Sequence, residues 1–221
     1  TIYSGATESL HSFASQTGIP VGETFAGKGS VMYNAPYCLG GLGATGTKYA
    51  IEIANEADIV IGIGTRYSDF TTASKSIFKN PEVKFININV NEFDAYKHNA
   101  LALTGDAKVT LDELLFLLND YRVDEKYNQR ISKMNKAWDD EVTKIYAEGN
   151  GTVPPIDQAV VIGTLNSFMN EEDIMINASG SAPGDLHKLW RATNPKNFHL
   201  EYGYSTMGYE IAAGLGAKIA A

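Results

Sequence analysis

The stretch Ala57–Thr72, ADIVIGIGTRYSDFTT, decides how the rest of the chain is read. After Asp58, Ile59-Val60-Ile61 is apolar at consecutive rather than alternating positions. A strand with that pattern has both faces covered, as in a parallel sheet held between helical layers. The run breaks at Gly62-Ile63-Gly64-Thr65, where such a strand has to turn. Ligands of open α/β sheets bind beyond the carboxyl ends of the strands, and glycine lets a backbone come close to them. Gly62, Gly64, Arg66 and Asp69 are therefore candidate ligand contacts, possible nucleotide contacts among them. A tight turn carrying surface charges is the competing reading.

Upstream of that stretch, Thr7 reads as the N-cap of a helix to Gln16 whose inward side is Leu10, Phe13 and Ala14. Gly18 stops it, and Ile19-Pro20-Val21 reads as a short strand. Gly22–Gly29, GETFAGKG, nearly matches a P-loop, but Gly29 stands where the magnesium-binding hydroxyl belongs. The following Tyr33-Asn34-Ala35-Pro36 is loop-like, so no helix N-terminus is available to a phosphate, and the P-loop reading fails. Gly40–Thr47 reads as a glycine-dense loop leading into a helix over Thr47–Glu56.

Downstream, Ser74–Phe78 is expected to be helical, Val83–Val90 a buried strand and Leu101–Thr104 a short one. Asp106 is the expected N-cap of a helix over Ala107–Leu118 with Leu111, Leu114, Leu115 and Leu118 as one apolar stripe. Strands alternating with helices in this way imply a doubly wound parallel sheet. Its expected core includes Leu10, Ile61, Ile86, Ile88 and Leu114. From Asp124 to Glu148 the pattern becomes one long amphipathic helix, read as packing across a domain boundary in preference to a coiled-coil seam. Gly149–Pro155 reads as a linker. A second α/β unit follows: a helix over Pro155–Phe168, a strand over Ile174–Asn177 turning at Ser179-Gly180-Ser181, a strand over Phe198–Leu200, and a helix from about Gly208. On that last helix Gly208, Ala212, Gly216 and Ala220 leave one face nearly bare. The expected divisions are residues 1–120, 121–154 and 155–221.

Composition narrows the function. The 221 residues are 44% hydrophobic and 20% charged, with a formal net charge of −8. That balance, with a pI near 5.0, argues against nucleic acid or an anionic membrane as the main partner. The single cysteine, Cys38, excludes a disulfide framework or a cysteine-rich metal cluster and fits a cytoplasmic setting. His11, His98, His187 and His199 lack zinc-ligand spacing, and each reads as a surface or internally satisfied histidine. There is no G-x-S-x-G elbow, and Gly62-Ile63-Gly64 lacks the third glycine of the dinucleotide fingerprint.

The motifs in order are more specific than any one of them. SGA near the start is followed by TGIPVGETFAGKG, LGGLGATGTKYA, ADIVIGIGTRYSDFTT, FININV and TGDAKVTLDEL, and later by NASGSAPGD and EYGYSTMGYEIAAGLGAKIA. This series resembles the thiamine-diphosphate enzymes of the acetolactate synthase type: their Rossmann-like central domain, then the start of their diphosphate-binding domain. Many such members carry DVGQHQ and SGGLGTMG where this chain has Asn177–Ala182 and Glu201–Gly208. The EYGYSTMGYE version resembles the branch that hydrolyses a carbon–carbon bond of a cyclic 1,2-diketone in inositol catabolism. The alternatives are an acetolactate-synthase-like carboligase or decarboxylase, or a nucleotide-binding module without catalysis.

The resemblance implies thiamine diphosphate and Mg²⁺ as cofactors, with the thiamine acting as electron sink. It implies Gly180 and Ser181 beside the cofactor at a strand's carboxyl end, Met207 as the apolar wedge under the bent thiamine, and backbone at Thr206 and Gly208 against the aminopyrimidine. Plain core packing is the competing reading of Met207. Arg66 and Asp69 match the place where flavin-using relatives hold their nucleotide, and relatives without flavin keep similar residues, so FAD or another nucleotide stays open. The magnesium motif and the activating glutamate match nothing in this sequence. The chain is thus expected to be an inactive piece of a homodimeric or homotetrameric enzyme.

Overall fold

The structure, a computed structural model, describes residues 1–220. In chain order its elements are α1 (Thr7–Thr17), β1 (Val21–Glu23), β2 (Cys38–Gly41), α2 (Lys48–Glu56), β3 (Ile59–Ile63), α3 (Asp69–Thr72), β4 (Lys84–Asn89), α4 (Glu92–Ala95), β5 (Leu101–Thr104) and α5 (Ala107–Leu117). They continue with α6 (Glu125–Glu148), α7 (Gln158–Phe168), β6 (Met175–Asn177), α8 (Ser181–Leu189), β7 (Phe198–Leu200) and α9 (Tyr209–Ala220). Every strand pairing is parallel: β1 with β2, β4 between β3 and β5, and β6 with β7. The chain is an α/β protein with parallel sheets, as its alternating pattern requires.

One apolar core joins β1–β2 to the three-stranded sheet. Leu10, Phe13, Cys38, Ile88 and Leu111 are buried in it, with Ile61, Leu103, Leu114 and Leu118 partly buried against them. Side-chain caps start α2, α4, α5 and α6: Thr47 accepts from Ala50 N–H, Asn91 from Phe93 N–H, and Asp106 and Asp124 each accept from two N–H groups of the first turn. Each cap satisfies a donor that the helix itself cannot.

Several expectations are corrected. Ile59 is 52% exposed and Val60 and Ile61 are only partly buried, with β3 at the edge of its three-stranded ladder. Thr7 is the first helical residue, and Ala6 precedes it without a side-chain cap bond. β1 starts at Val21, just past Pro20, which has no N–H to give a ladder. Gly40 and Gly41 belong to β2 rather than to a loop. Ser74–Phe78 is not a helix: α3 closes at Ala73 in the left-handed conformation, and Ser74, Lys75 and Phe78 are left-handed as well. α7 begins at Gln158, after the prolines, and α8 was not foreseen.

The 24 residues of α6 make a rod of about 36 Å. Ile131 and Met134 in its first half pack with Leu39, Ala50 and Ile53 of the first unit. Val142, Ile145 and Tyr146 in its second half pack with Ile162, Leu186, Trp190 and Phe198. Its apolar side is thus used within the chain. Among the described residues no helix is long and apolar enough to cross a membrane.

Candidate functional site

β6 and β7 run side by side with Asn177 opposite Leu200, and the Glu201 N–H donates to the Asn177 carbonyl at 3.0 Å. Both strands therefore end at the same level, the side on which open α/β sheets bind ligands. The chain leaves β6 through Ala178, Ser179 and Gly180 into the nine residues of α8. Gly180 has φ 115° and ψ −164°, a conformation that side chains do not tolerate, and no atom beyond its chain neighbours lies within 4 Å of where a Cβ would stand. No side chain caps α8, so the N–H groups of its first turn, beginning at Ser181, are directed at this opening. Beside it, the buried Asn177 amide donates to the His199 carbonyl at 3.0 Å, while its Oδ1 has no partner among the described residues.

The chain leaves β7 through Glu201–Gly208 into α9. The Glu201 carboxylate accepts the N–H groups of Tyr204 at 3.0 Å and Thr206 at 2.8 Å, and these bonds hold its pKa below the usual carboxylate range. Gly208 N–H donates to the Glu210 carboxylate at 3.1 Å, and His199 Nε2 bonds the Tyr209 hydroxyl at 2.8 Å. Met207 is 79% exposed, so it is not core packing within this chain. Gly180, Ser181, Thr206, Met207 and Gly208 thus lie on two loops that leave neighbouring strand ends. An opening of N–H groups next to an exposed thioether suits a ligand with an anionic tail and an apolar ring.

At the end of β3 the four candidates separate. Gly62 is buried, and a Cβ there would stand 2.2 Å from the Tyr67 hydroxyl. Its missing side chain admits Tyr67, whose hydroxyl donates to Asn87 Oδ1 at 2.9 Å and whose pKa burial pushes up. Gly64, with φ 64°, Arg66 and Asp69 are exposed. The Asp69 carboxylate accepts the Ser74 hydroxyl at 2.9 Å, and Lys97 Nζ donates to the Arg66 carbonyl at 2.7 Å. In the GKG loop Lys28 is buried with Nζ 3.4 Å from Glu23, whose other oxygen accepts Gly29 N–H at 2.8 Å and Val31 N–H at 3.3 Å. That lysine is committed to the fold and is not presented to a nucleotide. Among the described residues no group of three or more His, Cys, Asp or Glu side chains is arranged to hold a metal ion.

Residues 1–114 match the family model described as "Thiamine pyrophosphate enzyme, central domain", and residues 178–221 match "Thiamine pyrophosphate enzyme, C-terminal TPP binding domain". The chain belongs to the thiamine pyrophosphate enzymes. It is 42% identical to the 3D-(3,5/4)-trihydroxycyclohexane-1,2-dione hydrolase of Bacillus cereus strain AH820, over 99% of this chain and 37% of that protein. The hydrolase of the same name from Bacillus thuringiensis strain Al Hakam is 43% identical, with the same coverage. That from Bacillus anthracis strain CDC 684 is 42% identical, again over 99% and 37%. The chain therefore spans a little over one third of the length of these relatives.

Both strand-end loops of this thiamine pyrophosphate enzyme lie in the part matched to the TPP-binding domain, and Arg66 lies in the central-domain part. The two parts meet at His187, a fully buried residue on α8. Its Nε2–H donates to the Glu23 carbonyl at 3.0 Å, which leaves Nδ1 to accept the Thr45 hydroxyl at 2.8 Å. Burial and the nearby Lys28 push its pKa down to about 3. A Cβ on Gly41 would stand 2.7 Å from the ring, so the glycine that ends β2 makes room for this contact. Phe25 stacks on Phe70 and meets His187 and Tyr202 edge-on, and the Tyr202 hydroxyl bonds Ser68 at 2.5 Å. Sequence reasoning classed His187 only as a surface or satisfied histidine. The available signal was the run of glycines opposite it, Gly40–Gly46, which reads only as a loop leading into a helix.

Proposed function

We propose that the chain is the central domain (residues 1–120), a bridging helix with linker (121–154) and the first part of the diphosphate-binding domain (155–221) of a hydrolase that cleaves a carbon–carbon bond of a cyclic 1,2-diketone. The observation that carries this reading is the pairing of two loops at neighbouring parallel strand ends, one opening on the N–H groups of α8 and the other presenting Met207. The relatives named trihydroxycyclohexane-1,2-dione hydrolase support the substrate class.

Thiamine diphosphate, when bound, supplies the nucleophilic carbon and electron sink for the cleavage. The N–H groups at Gly180 and Ser181 receive its anionic end, where the helix terminus favours negative charge. Met207 gives the ring system an apolar face, and the backbone of Thr206 and Gly208 orients it. Mg²⁺ would accompany the diphosphate, but the described residues offer no group of three or more His, Cys, Asp or Glu side chains to hold it. Gly64, Arg66 and Asp69, with the backbone of Gly62, would be the place for FAD or another nucleotide. A cytoplasmic homodimer or homotetramer completes the reading.

Turnover by the full-length protein on the cyclic diketone and on pyruvate tests it: hydrolysis of the diketone is expected, and turnover of pyruvate alone would replace this reading with a decarboxylase or carboligase. The 221-residue chain alone should bind thiamine diphosphate only at about millimolar concentration, because backbone contacts and one thioether must offset desolvation of a polyanion. Calorimetry with thiamine diphosphate and Mg²⁺ measures this, and low-micromolar binding would show a more complete site than the proposal allows.

A further inference from the structure

Between Tyr202, tied to Ser68, and Tyr209, tied to His199, lie six consecutive exposed residues, Gly203–Gly208. The only main-chain hydrogen bond to this segment among the described residues is Tyr209 N–H to the Thr206 carbonyl. Ser205 has φ 52°, a left-handed conformation uncommon for a residue other than glycine, and Gly208 has φ 89°, which glycine adopts at no cost. Yet the segment carries two large side chains outward, Tyr204 at 92% exposure and Met207 at 79%.

We propose that Glu201 is the positioning residue of this loop, fixing Tyr204 and Met207 in the orientation in which they meet cofactor and substrate. The inference rests on the proposed thiamine-binding reading. Glu201 is the first residue past β7, and it joins both site loops. Its N–H is on the Asn177 carbonyl at the end of β6, and its carboxylate closes on the N–H groups of Tyr204 and Thr206. One residue therefore registers the Met207 loop against the strand that carries Gly180. Bonds from N–H groups to an ionised carboxylate are about twice as strong as neutral ones, which is what an exposed loop requires to stay in one shape. Each carboxylate oxygen is already occupied by an N–H, so Glu201 orients the loop rather than carrying a proton. Its lowered pKa agrees, since both bonds favour the ionised form.

The test compares Glu201→Ala and Glu201→Gln with the wild type by two measurements. In the 221-residue chain, amide hydrogen exchange at Tyr204 and Thr206 should accelerate about tenfold or more in Glu201→Ala, with exchange in α8 unchanged. Glu201→Gln, which keeps an acceptor oxygen, should fall between the two. In the full-length protein, the Kd for thiamine diphosphate should rise about tenfold or more in Glu201→Ala and be partly rescued in Glu201→Gln. Unchanged exchange at Tyr204 and Thr206, or accelerated exchange with unchanged cofactor affinity, would overturn the role of Glu201 while leaving the thiamine reading intact. A wild-type full-length protein that binds no thiamine diphosphate would instead overturn the thiamine reading, and the positioning role with it.

Discussion

At Gly41 and Gly62 the space that a side chain would need is taken by the His187 ring and the Tyr67 hydroxyl, whereas at Gly180 and Gly208 no atom beyond the chain neighbours stands within 4 Å of it. In sequence the two pairs look alike, glycines at or beside turns in an α/β pattern. In space, the first pair lets the protein touch itself and the second leaves room for something else. The polar groups divide less cleanly. Glu23, Lys28, Asn87 and His187 have hydrogen-bond or ion-pair partners inside the fold, while Asn177 at the strand ends keeps a buried oxygen without one among the described residues, as do Asn55, Trp190 and Asn197 elsewhere with one buried polar atom each. A glycine-rich loop is therefore weak evidence of a binding site until its occupant is known.

The largest expected effect tests the closed side of that comparison. Glu23→Ala leaves the Lys28 ammonium buried and two N–H groups without their acceptor, and should cost about 3–5 kcal/mol in urea unfolding. A cost below 1 kcal/mol would mean that water reaches Lys28 and that the loop is not closed. Gly62→Ala should cost about 1–3 kcal/mol by driving Tyr67 off Asn87. A neutral result would mean that Tyr67 does not depend on the space that Gly62 leaves.

The third prediction concerns pH. The folded-state pKa of His187, about 3, lies below its ordinary value of 6.5. Its contribution is therefore fully present above pH 6.5 and is lost as pH falls from there toward 3, with a limiting slope of about 1.4 kcal/mol per pH unit. His187→Gln can still donate to the Glu23 carbonyl and does not titrate. The unfolding midpoint of the wild type should thus fall more steeply than that of the variant between pH 6 and pH 4, and parallel curves would place His187 in water. The smallest effect has the opposite sign. Gly216 sits in α9 with nothing near it, so Gly216→Ala should stabilise the 221-residue chain by roughly 0.5–1 kcal/mol. A loss of stability would show a close neighbour on that face and move Gly216 to the closed class.

What was legible in the sequence follows the range of the interactions involved. Thr47, Asp106 and Asp124 announce their helices because a cap is a contact between residues two or three apart. The leucine stripe of α5 and the strand Phe198–Leu200 were readable for the same local reason. β2 was missed because Gly40 and Gly41 are poor strand formers: Gly40 has φ 76° at an irregularity in the pairing with β1, and Gly41 leaves room for a histidine 146 positions away (187 − 41). α8 was missed because Gly180, Pro183 and Gly184 suggest a turn, although proline is tolerated in the first turn of a helix. For the site, the family resemblance brought Gly180, Ser181 and the Thr206–Gly208 segment to the strand ends. The role of Glu201 depends on a loop folding back on itself, and no spacing rule encodes that. The helix expected over Ser74–Phe78 fails for a similar reason, since Ser74 N–H and its hydroxyl both turn back to Asp69.

The placement of α6 sets a limit on recombination. Sequence punctuation at Asn119-Asp120 and at Gly149–Pro155 suggests two places to exchange parts with a relative. Because Ile131 and Met134 are buried in one core and Val142 in another, a crossover at either place separates half of the helix from its native neighbours. A chimera would have to import α6 together with Leu39, Ile53, Leu186 and Trp190, or else match those contact surfaces by redesign. The helix is inherited as part of both halves, and the two halves are therefore constrained to change together.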